Sequence, residues 1–264
     1  MAYMLNKLRL DERSYIIGLL QGDGSLSSGG ESKGSMSYEI SIRDADMVYK
    51  LNSLLSPYVY VSISERNRST NFKDDYDSIT LGIFNREFRS ELAKVVPPGK
   101  KSTKIAPPKN VSARDYIRGL IDADGSIGLT NDDRCFIGLC TSSDGIKDYM
   151  LASILDIAKR RKTINRNKRD GVYNIVLFDE DAQLYAQYLY KDACIYIDRK
   201  NDKYEEIMRW ERNPNKRRVI SKSWIQSDDD IVLSCDLSVE EKMAMLDRTS
   251  SSIKTRMWRL RKKG

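Results

Sequence analysis

Two ten-residue stretches of this chain repeat each other in order and in chemical character. Residues 15–24 read YIIGLLQGDG, and residues 116–125 read YIRGLIDADG. Their acidic residues, Asp23 and Asp124, stand 101 positions apart. A repeat over so long an interval predicts a duplicated domain and argues against a local coincidence.

Each stretch is predicted to end a helix that begins at a capping residue. Asp11 is the expected N-cap of the first helix, and Ser112, with Asp115 three residues on, forms a capping-box pattern for the second. Each cap stands 12 residues before its acidic residue, Asp23 or Asp124. The two helices should therefore match in length, at about 18 Å for a rise of 1.5 Å per residue.

Small residues recur on one face of each predicted helix. Gly18 and Gly22 lie four residues apart in the first helix, as Gly119 and Ala123 do in the second. A glycine inside a helix costs about 1 kcal/mol relative to alanine, so its use at the same place in both copies suggests a reason. We expect the two helices to pack on each other through these faces.

The surroundings of the two helices repeat as well, which predicts an α+β fold with two pseudo-twofold related αββαββα units, residues 1–106 and 107–212. Pro107 and Pro108 mark the join between them. In the first unit, strands are predicted at 37–43, 58–64 and 77–83, and helices at 45–55 and 86–95. In the second, strands are predicted at 135–140 and 172–177, and helices at 146–159 and 182–190.

The last part of the chain, residues 213–264, is predicted to be a linker followed by a small all-α domain. The linker is Asn213-Pro214-Asn215, followed by a basic triplet at 216–218. The last of three helices places Ile253, Met257 and Leu260 on one face. Its remaining positions include Lys254, Arg256, Arg259, Arg261 and Lys262, and a helix-turn-helix presents its recognition helix to DNA with such a basic face. An ordinary solvated basic helix is the alternative.

Composition excludes several kinds of site and points to an anionic partner. The 264 residues carry a net charge of +7 and include no histidine, and the four cysteines show no CxxC spacing. Zinc fingers, His-dependent nucleases and Ser-His-Asp hydrolysis are thereby excluded. No apolar segment is long enough for a membrane span or a secretory signal, so we expect an intracellular protein without a membrane partner. The positive charge favours a polyanion.

The two acidic residues form a candidate metal site. Asp23 and Asp124 end their helices, where the helix dipole disfavours a carboxylate, and helix packing would add repulsion between them. A divalent cation would relieve both penalties, held by Asp23, Asp124 and main-chain carbonyls at Gly22 and Ala123, an all-oxygen set suited to Mg²⁺. Taken singly, an Asp-Gly after a helix is most often a simple C-cap turn.

The paired stretches resemble the two motifs of a single-chain LAGLIDADG homing endonuclease, over roughly residues 10–210. The second copy matches closely from Gly119 to Gly125, whereas the first has Gln21 where the motif usually has Asp. The resemblance implies two four-stranded sheets that form a saddle over DNA, with both motif helices at the interface. It implies Mg²⁺ or Mn²⁺ held by Asp23 and Asp124 at the scissile phosphates, and hydrolysis that leaves short 3′ overhangs.

The family often places a basic residue near each active site, and two lysines occupy matched positions here. Lys101 lies 78 residues after Asp23, and Lys200 lies 76 after Asp124. We expect them to stabilise charge or organise water in catalysis, and solvated surface lysines are the alternative. These two lysines and the two aspartates are the candidate catalytic residues.

The expected partner is double-stranded DNA with a long, weakly symmetric target site, bound by a monomer in the cytoplasm, nucleoid or an organelle matrix. Arginine and lysine side chains would contact bases or phosphates. The C-terminal helices separately resemble a Myb-like helix-turn-helix. Two other functions stay open, an RNA maturase that binds its own intron and a non-cleaving DNA-binding regulator. The candidate DNA contacts are Arg43, Arg66, Arg68, Arg166, Lys168, Arg169, Lys254, Arg256 and Arg259.

Overall fold

Two helices that pack along each other, α1 (Leu10–Gly22) and α4 (Ala113–Asp124), contain the repeated stretches. The computed structural model describes residues 4–27, 33–69, 75–213 and 224–262. The chain divides into a larger unit, 1–212, and a smaller unit, 213–264. Both α1 and α4 belong to the larger unit.

The first repeat has the element order αββαββα. Its four strands form one antiparallel sheet in the order β1-β2-β4-β3. The predicted helix at 45–55 is confirmed, whereas β3 begins four residues later than predicted and the short β1 was not predicted. The elements after α1 are β1 (Gly24–Leu26), β2 (Met36–Ser41), α2 (Ala45–Leu55), β3 (Ser62–Arg68), β4 (Tyr76–Ile83) and α3 (Arg86–Leu92).

The second repeat starts in the same way but has a three-stranded antiparallel sheet in the described residues, in the order β5-β6-β7. The four-stranded sheet implied for this repeat is therefore not present there. Strand β5 and helix α7 were not predicted. The elements after α4 are β5 (Gly125–Leu129), β6 (Cys135–Thr141), α5 (Asp144–Ala158), β7 (Tyr173–Phe178), α6 (Asp179–Tyr190) and α7 (Asp198–Met208).

The missing strand corresponds to the basic segment between α5 and β7. Lys159 ends α5 in the left-handed conformation, with φ of 52°. The Lys162 ammonium then donates a hydrogen bond to the carbonyl oxygen of Val176 at 2.5 Å, a group that a neighbouring strand would otherwise pair. At this edge of β7, a lysine side chain and not the main chain of a neighbouring strand therefore bonds the Val176 carbonyl.

Each repeat has its own apolar core, and its motif helix supplies a large part of it. Tyr15, Leu19 and Leu20 of α1 pack in the first core, and Tyr116 and Leu120 of α4 pack in the second. The cores also exchange residues. Ile17 of α1 joins the second core, and Ile195 and Ile197 of the second repeat join the first. The two repeats are therefore held together by apolar contacts in addition to the helix pair.

The helix starts differ between the repeats. Helix α4 has Ser112 at its N-cap, and the Ser112 hydroxyl donates to the Asp115 carboxylate at 2.5 Å. The prediction that Asp11 caps α1 is wrong, because the helix already begins at Leu10. The Arg9 main-chain N–H donates to the Glu12 carboxylate at 3.0 Å, which satisfies the start of the helix.

The smaller unit has three helices in its described residues, α8 (Gln226–Leu233), α9 (Val239–Leu246) and α10 (Ser250–Arg261). Ser238 caps α9 by accepting a hydrogen bond from the Glu241 N–H at 3.2 Å. Most of the predicted linker, 214–218, lies outside the described residues. Across the described ranges, no helix has both the length and the apolar character that a bilayer crossing requires.

Candidate active site

The backbones of α1 and α4 touch at two equivalent glycines. A Cβ atom built on Gly18 would lie 2.2 Å from the Tyr116 carbonyl oxygen, and one built on Gly119 would lie 2.2 Å from the Tyr15 carbonyl oxygen. Gly22 faces Ala123 in the same way, at 2.4 Å between a built Cβ and the Ala123 Cβ. The predicted close approach through small residues is confirmed, and it brings the C-terminal ends of both helices together.

Tyrosines fix the register of the helix pair by reaching across it. The Tyr15 hydroxyl donates to the Asp122 carboxylate at 2.5 Å, and the equivalent Tyr116 hydroxyl donates to the Gln21 side-chain oxygen at 2.5 Å. Gln21 also donates through its amide nitrogen to the carbonyl oxygen of Val95 at 2.7 Å. An ionised aspartate has no donor for that carbonyl, so the departure of the first motif at Gln21 has a local structural reason.

Asp122 lies at the position equivalent to Gln21, and its carboxylate is surrounded by hydrogen-bond donors. Its carboxylate accepts hydrogen bonds from the hydroxyls of Tyr15 and Tyr190, at 2.5 Å each, and from the Ile197 N–H at 3.0 Å. Burial raises its pKa, and these hydrogen bonds oppose that shift. Asp122 is 2% exposed, so we assign it to the helix interface and the Ile197 main chain.

Two clefts lie at the ends of the helix pair, and each takes residues from both repeats. One cleft is lined by Asp23 of the first repeat together with Ala123 and Lys200 of the second. The other is lined by Asp124 of the second repeat together with Gly22 and Lys101 of the first. We call them the Asp23 cleft and the Asp124 cleft. The structure thus brings together all six residues predicted for catalysis and metal binding, as two sets of three.

The two lysines make equivalent contacts. The Lys101 ammonium donates to the Gly24 carbonyl oxygen, and the Lys200 ammonium donates to the Gly125 carbonyl oxygen at 2.5 Å. Gly24 and Gly125 each follow the motif aspartate directly. Lys200 is only 6% exposed, which is rare for a lysine that lacks a specific role.

Charge and burial at the clefts shift the pKa values of the two motif aspartates and the two lysines. Burial and, secondly, the Asp124 carboxylate raise the pKa of Asp23 to about 6, against the pull of Lys101 and Lys200. Burial also raises the pKa of Asp124, and both lysines oppose that shift. The pKa values of Lys101 and Lys200 are lowered by burial. The carboxylates repel each other and are incompletely neutralised by the two lysines.

This arrangement predicts a protein that is more stable without its Asp23 charge. Because the pKa of Asp23 rises from 3.8 to about 6 on folding, the folded state binds more protons between these values, and stability falls as pH increases through them. In EDTA at pH 7, Asp23→Asn should raise the free energy of unfolding by about 1–2 kcal/mol, with little gain at pH 4. Urea denaturation at both pH values measures this, with Asp148→Asn on the exposed surface of α5 as control. A variant less stable than wild type at pH 7 would contradict it.

The donor set fits a hard divalent cation. In the described part of the chain, no three His, Cys, Asp or Glu side chains come close enough to form a metal site by themselves. Each cleft instead offers one of the two motif aspartates, Asp23 or Asp124, with Ala123 or Gly22 on its wall. A cation that keeps several water or phosphate ligands, as Mg²⁺ does, suits so sparse an all-oxygen set.

The predicted DNA contacts of the larger unit are spread over both repeats. Arg43 is exposed and lines the Asp23 cleft, and Arg66 is exposed on β3. Arg68 also belongs to β3, but its side chain lies outside the described part of the structure. Three others lie in the segment before β7. Lys168 is exposed there, Arg166 pairs with Asp144 at 3.1 Å and Arg169 pairs with Asp170 at 3.0 Å.

The predicted contacts of the smaller unit fall into two groups. Lys254 and Arg259 are exposed on α10. Arg256 instead donates both arms of its guanidinium to the Asp229 carboxylate, at 2.7 and 2.6 Å, and lies 5.4 Å from the Trp224 ring centroid. Arg256 therefore contributes to the packing of this unit, and its availability for DNA is reduced.

Four charged residues of the Asp23 cleft were not predicted. Glu39, Asp44, Asp122 and Arg199 line it together with Lys200. Asp122 belongs to the repeated motif, and Arg199 is adjacent to a predicted residue, so position alone is a signal for both. Asp44 has no such signal, because it reaches the cleft only through the fold.

No family model and no curated protein sequence matches this chain. Among solved structures, the homing endonuclease I-WcaI bound to its DNA recognition sequence is similar over 75% of this chain and 87% of its own, with 14% identity and a TM-score of 0.54. Full-length WhiA from Thermotoga maritima is similar over 97% of this chain and 93% of its own, with 14% identity and a TM-score of 0.47. The similarity to I-WcaI shows that this chain shares its mixed α/β fold with antiparallel sheets.

Proposed function

We propose that this protein is a site-specific DNA endonuclease that cuts both strands of a duplex by divalent-metal-dependent hydrolysis. The observation that carries the proposal is the pair of clefts, each with an aspartate from one repeat and a lysine from the other. Two equivalent sites suit two strands of opposite polarity. A protein that only binds DNA has no need for two repelling carboxylates at the ends of buried helices.

Asp23 and Asp124 would hold the cations in this mechanism, together with main-chain oxygens at Ala123 and Gly22 respectively. When bound, Mg²⁺ or Mn²⁺ supplies Lewis-acid polarisation of a phosphoryl oxygen. Water adds to phosphorus and the P–O3′ bond breaks, which leaves a 3′ hydroxyl and a 5′ phosphate. Lys200 and Lys101 place positive charge beside the reacting phosphate and offset the negative charge that develops there. We expect short 3′ overhangs.

The lysines are expected to act on the chemical step. Lys101→Met and Lys200→Met should each lower the single-turnover cleavage rate by about 10- to 100-fold while changing the Kd of the duplex by less than about threefold. Lys94→Met, in the turn after α3, is the control. Loss of binding in parallel with rate would assign these lysines to DNA contact instead.

The smaller unit is proposed to bind the duplex as a helix-turn-helix. Only Asp247 to Thr249 separate α9 from α10, and the exposed face of α10 carries Lys254, Arg259 and Arg261. Replacing these three basic residues by glutamine should make the negative slope of log K for duplex binding against log salt concentration less steep by about 2–3. Each phosphate contact releases a counterion, so fewer contacts release fewer counterions. Fluorescence anisotropy between 50 and 200 mM salt measures the slope. An unchanged slope would place this unit away from DNA.

The deciding experiment offers the protein its own coding locus with the intervening sequence removed. A cut near the insertion site in Mg²⁺ and none in EDTA supports the endonuclease. Binding of this locus without a cut in either condition would favour a non-cleaving regulator. Selective binding of the intron transcript, with promotion of its splicing, would favour a maturase.

A further inference from the structure

An ion pair between the two repeats stands directly beside Lys200. The Arg199 guanidinium donates from Nε and Nη2 to the two carboxylate oxygens of Asp44, at 2.8 Å each. Asp44 lies between β2 and α2 of the first repeat and is 3% exposed. Arg199 belongs to the first turn of α7 in the second repeat. Both residues line the Asp23 cleft.

The neighbours of Arg199 are bound to the first repeat as well. The Asp198 N–H donates to the Asp46 carboxylate at 3.0 Å, and the Lys50 ammonium donates to both Asp46 and Asp198, at 2.9 and 2.5 Å. Two consecutive residues at the start of α7 are thus anchored on the turn before α2 and on α2 itself. Since Lys200 follows them directly, its backbone is held against the repeat that contributes Asp23.

The segment that carries Lys101 is tied to the second repeat by a hydrogen bond and not by an ion pair, since the Ile105 carbonyl oxygen accepts from the Ser143 hydroxyl at 2.6 Å. Lys101 lies in a segment without helix or strand, where its carbonyl oxygen accepts from the Lys104 and Ile105 N–H groups at 2.7 and 3.1 Å. Among the residues that the structure describes, no ion pair joins 99–104 to the second repeat. Lys200 is buried, whereas Lys101 is partly exposed. The two clefts therefore position equivalent lysines by different means.

We propose that the Arg199–Asp44 pair is a positioning device for Lys200, so that cutting of one DNA strand depends on this pair and cutting of the other does not. The inference rests on the proposed endonuclease function. A lysine must lie within hydrogen-bond range of the reacting phosphate to act on the transition state, and displacement by about 1 Å costs up to about 100-fold. A strand-specific loss would distinguish positioning from general stability, which affects both clefts.

Strand-resolved cleavage tests the proposal. The probe is a duplex that spans the mapped cut, with a different fluorophore on each strand, under single-turnover conditions in Mg²⁺. The strand that Lys200→Met slows more is assigned to the Asp23 cleft. Arg199→Gln should slow the same strand by about 10-fold and change the other by less than about twofold. Arg199→Lys, which keeps the charge but loses the two-armed geometry, should give an intermediate loss.

Two further variants separate an effect on the position of Lys200 from a general effect on folding. Arg199→Gln with Asp44→Asn avoids a buried carboxylate left with only a 3.7 Å contact to the exposed Arg43, and it should show the same strand-selective loss. Arg134→Gln is the matched control, because it removes a two-armed pair with Asp179, at 3.0 and 2.8 Å, that lies in neither cleft. Equal slowing of both strands by the Arg199 variants, or no slowing, would overturn the proposal.

A second measurement requires no cleavage. In metal-free protein labelled with [¹³Cε]lysine, resonances are assigned by their loss in Lys200→Met and Lys101→Met. Arg199→Gln should move the Lys200 resonance and leave the Lys101 resonance in place. An unmoved Lys200 resonance would overturn the positioning role. Wild-type protein that fails to cut its locus would overturn the endonuclease function by itself, and the NMR result would still decide the placement of Lys200.

Discussion

Asp23→Asn and Asp124→Asn should each abolish double-strand cleavage, with at least a roughly 1,000-fold loss of rate and at most a nick in one strand remaining. Asparagine keeps the shape of the side chain but removes the charge that holds a divalent cation. Each cleft contains only one of the two aspartates. Losing either charge therefore removes one of the two cuts that a double-strand break requires.

Duplex binding should survive both substitutions. The Kd should change by less than about threefold in Ca²⁺ or EDTA, because the proposed DNA contacts, the arginines and lysines on the strands and on α10, should contribute most of the affinity. Plasmid linearisation and gel-shift assays on the same preparations separate the two properties. Asp148→Asn, at an exposed position of α5, controls for a general loss of surface charge. Normal linearisation by both active-site variants would refute the assignment of the metal site.

Gly18→Ala and Gly119→Ala should each destabilise the protein by about 3 kcal/mol. The added methyl group would lie 2.2 Å from a main-chain carbonyl oxygen of the opposite helix, which cannot move aside as a flexible side chain can. This clash opposes the gain of about 1 kcal/mol that alanine brings to a helix interior, so the sign of the effect is itself informative. The helices must separate to admit the methyl groups.

The measurement is urea denaturation at pH 7 in EDTA. Gly145→Ala is the matched control, since a Cβ there would meet the Ala106 side-chain methyl at 3.2 Å, a contact that small shifts relieve. We expect that variant to stay within about 1 kcal/mol of wild type. Stabilisation by Gly18→Ala would mean that the two helices do not approach as closely as the structure indicates.

The repeated motif was enough to predict the helix pair and the two aspartates at its ends, because glycine spacing and terminal aspartates have direct geometric consequences. Local signals were weaker elsewhere. Strand β1 has only three residues, too few for a detectable alternation. The N-cap of α1 is Arg9, a residue that capping preferences do not favour, although Glu12 at the third helical position matches a capping box.

Long-range pairing explains what the sequence did not reveal. Asp44 and Arg199 are 155 residues apart and become partners only when the repeats assemble. Beside β7, where the described residues include no fourth strand, the Lys162 side chain reaches the main-chain carbonyl of Val176. Arg256 looked like a DNA contact by helical position, but Asp229 and Trp224 on other segments turn it inward. These are tertiary effects that periodicity does not encode.

The composite nature of the clefts has a consequence for how such a protein can be divided. Because each cleft joins an aspartate of one repeat to a lysine of the other, neither repeat contains all the residues of the proposed active site in one cleft. Two separately expressed halves would be inert alone and would gain activity only by complementation, at a rate set by both of their concentrations. A half with an inactivating mutation would compete with the wild-type half for its partner, because every pair that contains the mutant half would have a defective cleft.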